Sequence, residues 1–292
     1  MSYGVCDEYS RLLRVLVRRP GEEFVNPEQW RLWGYPGSPD LEKAQAEHDA
    51  FTAILREEGV EVIYIKDVPV DRREAIFTHD STIMTPAGAI VCRSGNPLRD
   101  GEGNYAAKAL LDAGVPILYT VHGAARVDGG DTLWLDEETF LVGRSYRTND
   151  EAYKQIKAVM EGVVCRRVVQ VPLPHYRGPG HVLHLMSLIS PVDRDLAVVY
   201  LPLMPVWLVE LLMEKNVRMI EVPDEEFETL GCNVLAVAPR RVIIHEGNPV
   251  TERKLKENGC VVYTYRGEQI SVIPTGGPTC LTRPILRQNL AS

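Results

Sequence analysis

One arrangement of apolar and polar positions recurs five times along the chain. An amphipathic, helix-like stretch ends at a glycine or an asparagine, and a run rich in valine and isoleucine follows it directly. The joins lie 43 to 55 residues apart, at Gly59-Val60, Gly114-Val115, Gly162-Val163, Asn216-Val217 and Gly259-Cys260. Glycine and asparagine tolerate the positive φ that commonly ends a helix. A repeat of about 50 residues predicts a propeller or solenoid architecture, in which neighbouring units bury each other's apolar faces.

Each unit is predicted to run strand, loop, strand, turn, strand and helix, with short strands between the helices. Residues 41–59 predict the longest helix, because most of their apolar side chains share one face and Asp40 is placed to cap the first turn. Asn149 is placed to cap a similar helix over residues 150–162. No linker or composition break interrupts residues 1–292, so we expect a single domain.

The start of the chain departs from this regular pattern. Residues 11–18 predict a first strand, which Pro20 ends. Residues 20–39 are rich in proline, glycine and tryptophan and predict a long loop that could fold over a site.

A polar residue follows each join at a similar distance. These residues stand 14 to 22 positions beyond the joins and are Asp80, Asp128, His184, Asn233 and Cys280. If the five units surround an axis, equivalent positions converge at one place. Two carboxylates, a histidine and a thiol in one cavity form a candidate active site.

Taken singly, these residues also have ordinary interpretations. Cys280 stands in TGGPTCLTRP, where the glycines let the backbone approach a ligand and a cationic neighbour can lower the pKa of the thiol. Asp80 in FTHD and Asp128 in DGGD are typical of turns. His181 and His184 form an H-x-x-H pair, but in a strand this spacing puts the rings on opposite faces, and no third metal ligand is evident. The common placement of Asp80, Asp128, His184 and Cys280 in the repeat favours the catalytic interpretation.

Two arginines are candidates for binding an anion. Arg99 in NPLRDGE and Arg147 in SYRTN can each hold a carboxylate through a bidentate fork. The alternative for either residue is a solvated surface charge.

The composition excludes several classes of function. A net charge of −8 without a long basic run argues against nucleic-acid binding. The longest apolar stretches contain prolines and are too short to span a bilayer. The starting sequence MSYGVCDEYS lacks the basic start and apolar core of a signal peptide. Six scattered cysteines without a C-x-x-C pair favour a reduced, cytoplasmic compartment.

Five motifs resemble, in this order, those of the guanidine-modifying superfamily, or penteins. They are FTHD, DGGD with RTN downstream, LHLMS, GCNVLAVAPRRVI and GGPTCLTRP. The superfamily includes arginine deiminase, dimethylarginine dimethylaminohydrolase and the amidinotransferases. The resemblance covers residues 11–287 and implies a five-bladed α/β propeller with the site on its pseudo-fivefold axis, in agreement with the repeat.

The resemblance also implies a role for each candidate residue at the reacting group. Cys280 would be the nucleophile and His184 the general acid and base. Asp128 would bind and orient the guanidinium group, and Asp80 would pair with it or with a neighbouring polar group. A thiolate would attack the guanidinium carbon, and water would release a ureido product such as citrulline from a covalent amidino-cysteine.

The remaining implications concern the rest of the substrate. Arg99 and Arg147 match the arginines that hold the α-carboxylate of an arginine-like substrate. The expected partner is a small guanidino compound, and the chemistry needs no metal and no organic cofactor. For the assembly, a homo-oligomer, at its simplest a dimer, stays open.

One position departs from the pattern of the superfamily. Deiminases and amidinotransferases carry an aspartate two residues after the catalytic histidine, where a strand would turn it to the same face. Here that residue is Met186, whose thioether cannot bind the N–H donors of a free guanidinium end. The dimethylarginine hydrolases also lack this aspartate. We therefore expect Met186 to face the substrate, and the substrate to be an N-substituted guanidine or arginine derivative with an apolar leaving group. The alternative is a different amidine.

Three alternative functions stay open. An arginine deiminase would use the same chemistry on arginine, and an amidinotransferase would pass the amidino group to an amine instead of water. A non-catalytic binding protein on the same propeller is the third. The joint presence of Cys280, His184 and Asp128 argues against it.

Overall fold

The computed structural model describes residues 2–32 and 37–288. Its strands form five sheets of three strands each. The sheet orders are β15-β1-β2, β3-β4-β5, β6-β7-β8, β11-β10-β9 and β12-β13-β14. The strands are β1 (Leu12–Val17), β2 (Glu61–Tyr64), β3 (Thr82–Thr85), β4 (Gly88–Val91), β5 (Ile117–Thr120), β6 (Thr132–Asp136), β7 (Thr139–Arg144), β8 (Arg167–Pro172), β9 (Ile189–Asp193), β10 (Leu196–Val199), β11 (Arg218–Glu221), β12 (Leu235–Ala238), β13 (Arg241–His245), β14 (Val261–Tyr265) and β15 (Arg283–Arg287).

All five sheets share one topology. The inner strand pairs antiparallel with the middle strand, and a helix leads from the middle strand to a parallel outer strand. The helices are α1 (Glu22–Val25), α2 (Pro27–Leu32), α3 (Leu41–Glu57), α4 (Glu102–Asp112), α5 (Asp150–Met160), α6 (Val206–Glu214), α7 (Asp224–Phe227) and α8 (Pro249–Glu257). The crossover helices are α3, α4, α5, α6 and α8. The repeat read from the sequence is therefore a real structural unit.

The first unit is completed by the end of the chain. Its inner strand is β15, which pairs antiparallel with β1, so that Leu12 lies opposite Arg287 and Leu16 opposite Arg283. Burial falls from the inner and middle strands to the outer ones, which places the inner strands nearest the centre. Five such units form the five-bladed α/β propeller that the resemblance implies.

The helix ends follow the predicted stereochemistry. Gly59, Gly114, Asn216 and Gly259 have φ of 81°, 81°, 57° and 81°. After each of them, the next backbone N–H bonds to a carbonyl five residues back, as in Val60 N to Leu55 O at 2.9 Å. This pattern satisfies carbonyls that the helix leaves without partners.

The third join differs from the prediction. Gly162 has φ of 77°, but β8 begins only at Arg167, because residues 162–165 form a further turn bonded to the carbonyl of Met160. Val163 is exposed there. An apolar run directly after a glycine was therefore not enough to place the start of this strand.

The segment predicted as a loop over a site has another structure where it is described. Residues 22–32 form the helices α1 and α2, and Phe24 is buried. Asn26 Nδ2 donates to the carbonyl of Val70 at 3.2 Å. Residues 33–36 of the predicted loop lie outside the described residues.

Across the described residues, none of the helices combines the length and the apolar character needed to cross a bilayer.

A buried histidine in α3 makes the stability of the fold depend on pH. His48 is fully buried between the rings of Phe51 and Tyr64, and neither ring nitrogen has a hydrogen-bond partner among the described residues. Burial lowers the pKa of His48 to about 3. The unfolded chain, with a histidine pKa near 6.5, takes up the proton first, so stability falls as the pH drops from about 6.5 towards 3.

We expect His48→Leu to weaken this acid sensitivity. One pKa unit corresponds to about 1.4 kcal/mol, so His48 alone should cost the wild type about 2 kcal/mol between pH 7 and pH 5. The free energy of unfolding, measured in urea at both pH values, should fall less in the variant. Equal losses in the two proteins would contradict a neutral, buried His48.

Candidate active site

The five polar residues of the repeat occupy equivalent places in the fold. Each stands a few residues before the inner strand of a unit, at the end that faces a common cavity. They are Asp80 before β3, Asp128 before β6, His184 before β9, Asn233 before β12 and Cys280 before β15. The convergence that the sequence predicted is therefore present.

Glycine allows these segments to meet. Gly130 donates its N–H to Asp80 Oδ1 at 2.9 Å, and it lies against the imidazole of His184. A Cβ at Gly130 would come within 2.5 Å of His184 Nδ1. Any other residue at this position would push the carboxylate or the imidazole away.

His184 lies between two carboxylates. Its Nε2 is 3.3 Å from Asp128 Oδ2, and its Nδ1 is 3.8 Å from Asp80 Oδ1. Asp128 is completely buried, and its Oδ1 accepts hydrogen bonds from Ser94 Oγ at 2.7 Å and from Gly95 N at 3.0 Å. Both carboxylates are thus fixed before any ligand binds.

Cys280 lies in the same cavity, beside Asn233. Asn233 Nδ2 donates to Cys280 Sγ at 3.1 Å, while the backbone N–H of His79 donates to the Cys280 carbonyl at 3.3 Å. Asn233 stands in the repeat set, but no role was predicted for it from the sequence. Its position in the repeat was the signal that could have identified it.

A cavity of about 350 Å³ opens above these residues. Asp80, His184, Asn233 and Cys280 all line it, and Asp128 lies directly behind His184. The wall also includes Glu74, Phe77, Arg99, Arg147, Tyr176, His181, Val182, Leu183, Phe227, Glu228 and Leu230.

Part of the cavity wall comes from a segment other than the predicted one. No described residue of 20–39 lines the cavity, whereas Tyr176 and residues 180–184 do. Arg177 NH2 pairs with Glu228 Oε1 at 2.9 Å, and the Tyr176 hydroxyl donates to the same carboxylate. The rings of Tyr176 and Phe227 pack edge to face beneath this contact.

Comparison with known proteins assigns this arrangement to a family. The family model described as N,N dimethylarginine dimethylhydrolase, eukaryotic, matches residues 31–287. The chain belongs to this family. It is a member of the pentein superfamily and an enzyme that acts on guanidino groups.

Several relatives match almost the whole chain, and several solved structures share its fold. An uncharacterized Bacillus subtilis protein, YkgA, is 26% identical over 97% of this chain and 95% of its own. Arginine deiminase of Staphylococcus haemolyticus is 22% identical over 98% of both chains. The dimethylarginine hydrolase of Pseudomonas aeruginosa, crystallised as a mutant with citrulline, superposes with a TM-score of 0.75 at 22% identity and covers 95% of this chain and 100% of its own. The amidinotransferase SxtG of Microseira wollei gives 0.78 at 17% identity, over 100% and 99% of the two chains.

In this family member, Arg99 lines the cavity and is held by neighbouring protein groups. All three of its guanidinium nitrogens are engaged by the protein. Nε bonds to Glu102 at 2.7 Å, NH1 to Asp80 at 2.6 Å, and NH2 to the carbonyls of Glu74 and Phe77 at 3.3 and 3.2 Å. Arg99 therefore holds Asp80 in place, and its predicted role in binding a substrate carboxylate stays a prediction.

Arg147 has a different environment. Its NH1 lies 3.6 Å from Asp128 Oδ2, a looser contact than that of Arg99 with Asp80, and its side chain lies on the cavity wall. A guanidinium at this position can turn towards an anionic group in the cavity. Its predicted role in carboxylate binding stays a prediction.

Met186 does not face the cavity. His184 is followed by a 3₁₀ turn over Leu185–Ser187, so the alternation of a strand does not apply. Met186 is buried in the apolar core and borders a separate small cavity together with His79 and Ser190. The expectation that Met186 faces the substrate is therefore wrong.

The carboxylates around His184 determine its charge. Burial opposes protonation, but Asp80, Asp131 and Asp128 outweigh it and raise the pKa of His184 to about 9. In turn, Arg99 and His184 hold the pKa of Asp80 below its usual range despite burial. Near pH 7 the site therefore contains an imidazolium between two carboxylates.

The surroundings of Cys280 disfavour the charged form of its side chain. Burial and then Asp80 raise the pKa of the thiol to about 11, against hydrogen bonds from Asn233, the backbone of Gly277 and Thr279. An acidic cavity without a ligand thus keeps the thiol protonated. A cation bound beside Asp80 would oppose this effect.

Asp131, the last residue of DGGD, is a further element that the sequence left without a role. It is fully buried, its Oδ1 accepts from Leu185 N at 3.1 Å, and its Oδ2 accepts from Ser145 Oγ at 2.5 Å. These bonds tie the turn that carries His184 to the neighbouring unit.

The two cavity arginines should differ in their contribution to stability. Arg99→Met leaves Asp80 and Glu102 buried without their partner, so we expect a loss of about 3–5 kcal/mol. Arg147→Met removes a looser pair and should cost about 1–2 kcal/mol. The free energy of unfolding of both variants, measured in urea at pH 7, tests this order, and equal losses would contradict the role of Arg99 in holding Asp80.

Proposed function

We propose that this family member is a cysteine-dependent hydrolase of the guanidinium group of arginine or of an N-methylated arginine, and that it releases citrulline and an amine. The observation that supports this most is the placement of a doubly ion-paired His184 and of Cys280 in one cavity. A general acid and a nucleophile on either side of a ligand are the groups that this reaction needs.

The cavity is suited to a cationic planar group. Asp80, Asp128 and Glu74 contribute carboxyl groups at or behind its wall, and burial strengthens their attraction for a cation. Arg147 provides the opposite charge for an α-carboxylate. The charge pattern of an arginine-like zwitterion thus matches that of the cavity.

In the first half of the proposed reaction, the bound cation offsets the effect of Asp80 and promotes loss of the thiol proton to solvent. The Cys280 thiolate attacks the guanidinium carbon, and a C–S bond forms. His184 donates its proton to the departing nitrogen, the C–N bond breaks, and the amine leaves. The result is a covalent amidino-cysteine and a neutral His184.

In the second half, neutral His184 takes a proton from a water molecule, whose oxygen attacks the same carbon. The C–S bond then breaks, the departing sulfur takes up the remaining hydroxyl proton and becomes the starting thiol again, and the neutral ureido product is released. His184 ends the cycle protonated, as it began. The net reaction consumes one water molecule for each amine released.

We expect Cys280→Ser to abolish citrulline formation while the fold stays intact. A serine hydroxyl at this position has no base strong enough to ionise it, so turnover should fall at least about 1,000-fold. Citrulline is measured with saturating arginine, monomethylarginine and asymmetric dimethylarginine in parallel, and circular dichroism verifies the fold. Retained turnover would contradict the covalent mechanism.

The same assay distinguishes the substrate and the acceptor. Citrulline from methylated substrates only would make the chain a dimethylargininase, and citrulline mainly from arginine would make it a deiminase. If the amidino group is transferred only when an amine is supplied, the chain is an amidinotransferase, and the hydrolase proposal fails.

Arg147 provides a test of substrate orientation. Arg147→Met should raise the KM for the preferred arginine-type substrate about tenfold or more, because a buried charged hydrogen bond to the α-carboxylate is lost. The decarboxylated analogue agmatine lacks that group, so its kcat/KM should change little. An equal loss for both compounds would place the carboxylate elsewhere.

A further inference from the structure

Asn233 is the polar residue of the repeat to which the mechanism above gives no part. It is 6% exposed, lies directly before β12 and lines the cavity. Its Nδ2 is 3.1 Å from Cys280 Sγ, the atom that would form the covalent bond. A side chain this close to the reacting sulfur affects its position and its charge.

The orientation of the Asn233 amide is decided by its neighbours. Oδ1 accepts two hydrogen bonds, from Thr279 N at 3.0 Å and from Thr279 Oγ1 at 2.6 Å. A backbone N–H can only donate, so the oxygen of the amide must face Thr279. The NH₂ group is therefore directed at the sulfur and presents a donor to it.

The glycine pair before Cys280 makes room for this contact. A Cβ at Gly277 would come within 2.5 Å of Asn233 Oδ1, and one at Gly276 would collide with the ring of Phe77. The motif TGGPTC was expected to bring the backbone close to a ligand. In the structure, its second glycine accommodates the Asn233 side chain.

We propose that Asn233 is a catalytic residue whose amide holds the Cys280 sulfur and stabilises its ionised form. Thr279 fixes the orientation of this amide, and Gly277 leaves the space for it. This inference rests on the proposed function in assigning Cys280 as the nucleophile. The donor offsets part of the repulsion from Asp80, which otherwise disfavours a thiolate in the acidic cavity. It also keeps the sulfur in one place during attack and departure.

The test is the rate at which iodoacetamide alkylates Cys280 in the substrate-free protein at pH 9. Only the thiolate reacts, so a rise of one unit in the thiol pKa slows alkylation about tenfold. Mass spectrometry of the peptide that carries Cys280 gives the rate. Cys6, which is also partly exposed, provides an internal reference in the same digest.

Three variants isolate the contact. Asn233→Ala removes the donor, and we expect alkylation of Cys280 to slow about tenfold. Asn233→Asp keeps the acceptor for Thr279 but turns a carboxylate oxygen to the sulfur, so the loss should be larger. Gly277→Ala displaces the amide and should resemble Asn233→Ala. Asn104→Asp, an exposed site, controls for the added charge and should leave the rate unchanged.

An unchanged or faster alkylation of Cys280 in both Asn233 variants, with Cys6 at its wild-type rate, would overturn the proposal. Because the readout needs no substrate, it is independent of the assignment of the reaction. Slower alkylation without turnover of any guanidino compound would support the effect of Asn233 on the Cys280 sulfur and refute the proposed function. Should Asn233→Ala fail to fold, Asn233→Asp, which retains the acceptor for Thr279, decides the question.

Discussion

The active site depends on several buried carboxylates that stay ionised although they are shielded from water. Asp80 and Asp128 are buried, and a buried carboxylate without a partner takes up a proton. Arg99 holds Asp80 at 2.6 Å, and His184 lies within reach of both carboxylates. The charge on His184 and the fixed positions of the residues in the cavity wall follow from these ion pairs, because each charged group keeps its partner ionised.

The same arrangement favours the protonated forms of both His184 and Cys280. The acidic cavity raises the pKa of His184 to about 9 and that of Cys280 to about 11. An empty site thus carries a proton on both groups. A cationic ligand changes this balance, since it supplies the positive charge that the thiolate needs. In the proposed mechanism, binding of the guanidinium and activation of the Cys280 thiol therefore depend on the same charges.

Close backbone packing makes this possible, and it relies on glycine at two places. Gly130 lets the imidazole of His184 lie against the DGGD turn, and Gly277 lets Asn233 reach the sulfur of Cys280. Each glycine belongs to a different unit from the side chain that it accommodates. The propeller therefore builds its site at the junctions between units, where no single unit could hold the groups in place.

The sequence by itself determined the repeat, its helix ends and the convergence of the five polar residues, because these follow from local φ preferences and apolar periodicity. It could not determine which way a side chain turns in the segments between the strands and helices. Met186 was assigned by strand alternation, but a 3₁₀ turn carries it into the core. Arg99 and Arg147 look alike in the sequence, and only the tertiary structure surrounds Arg99 with Asp80, Glu102 and two carbonyls while Arg147 stays at the wall. The reason is physical: the role of a charged or apolar side chain depends on partners from distant segments, and those partners meet only when the five units close.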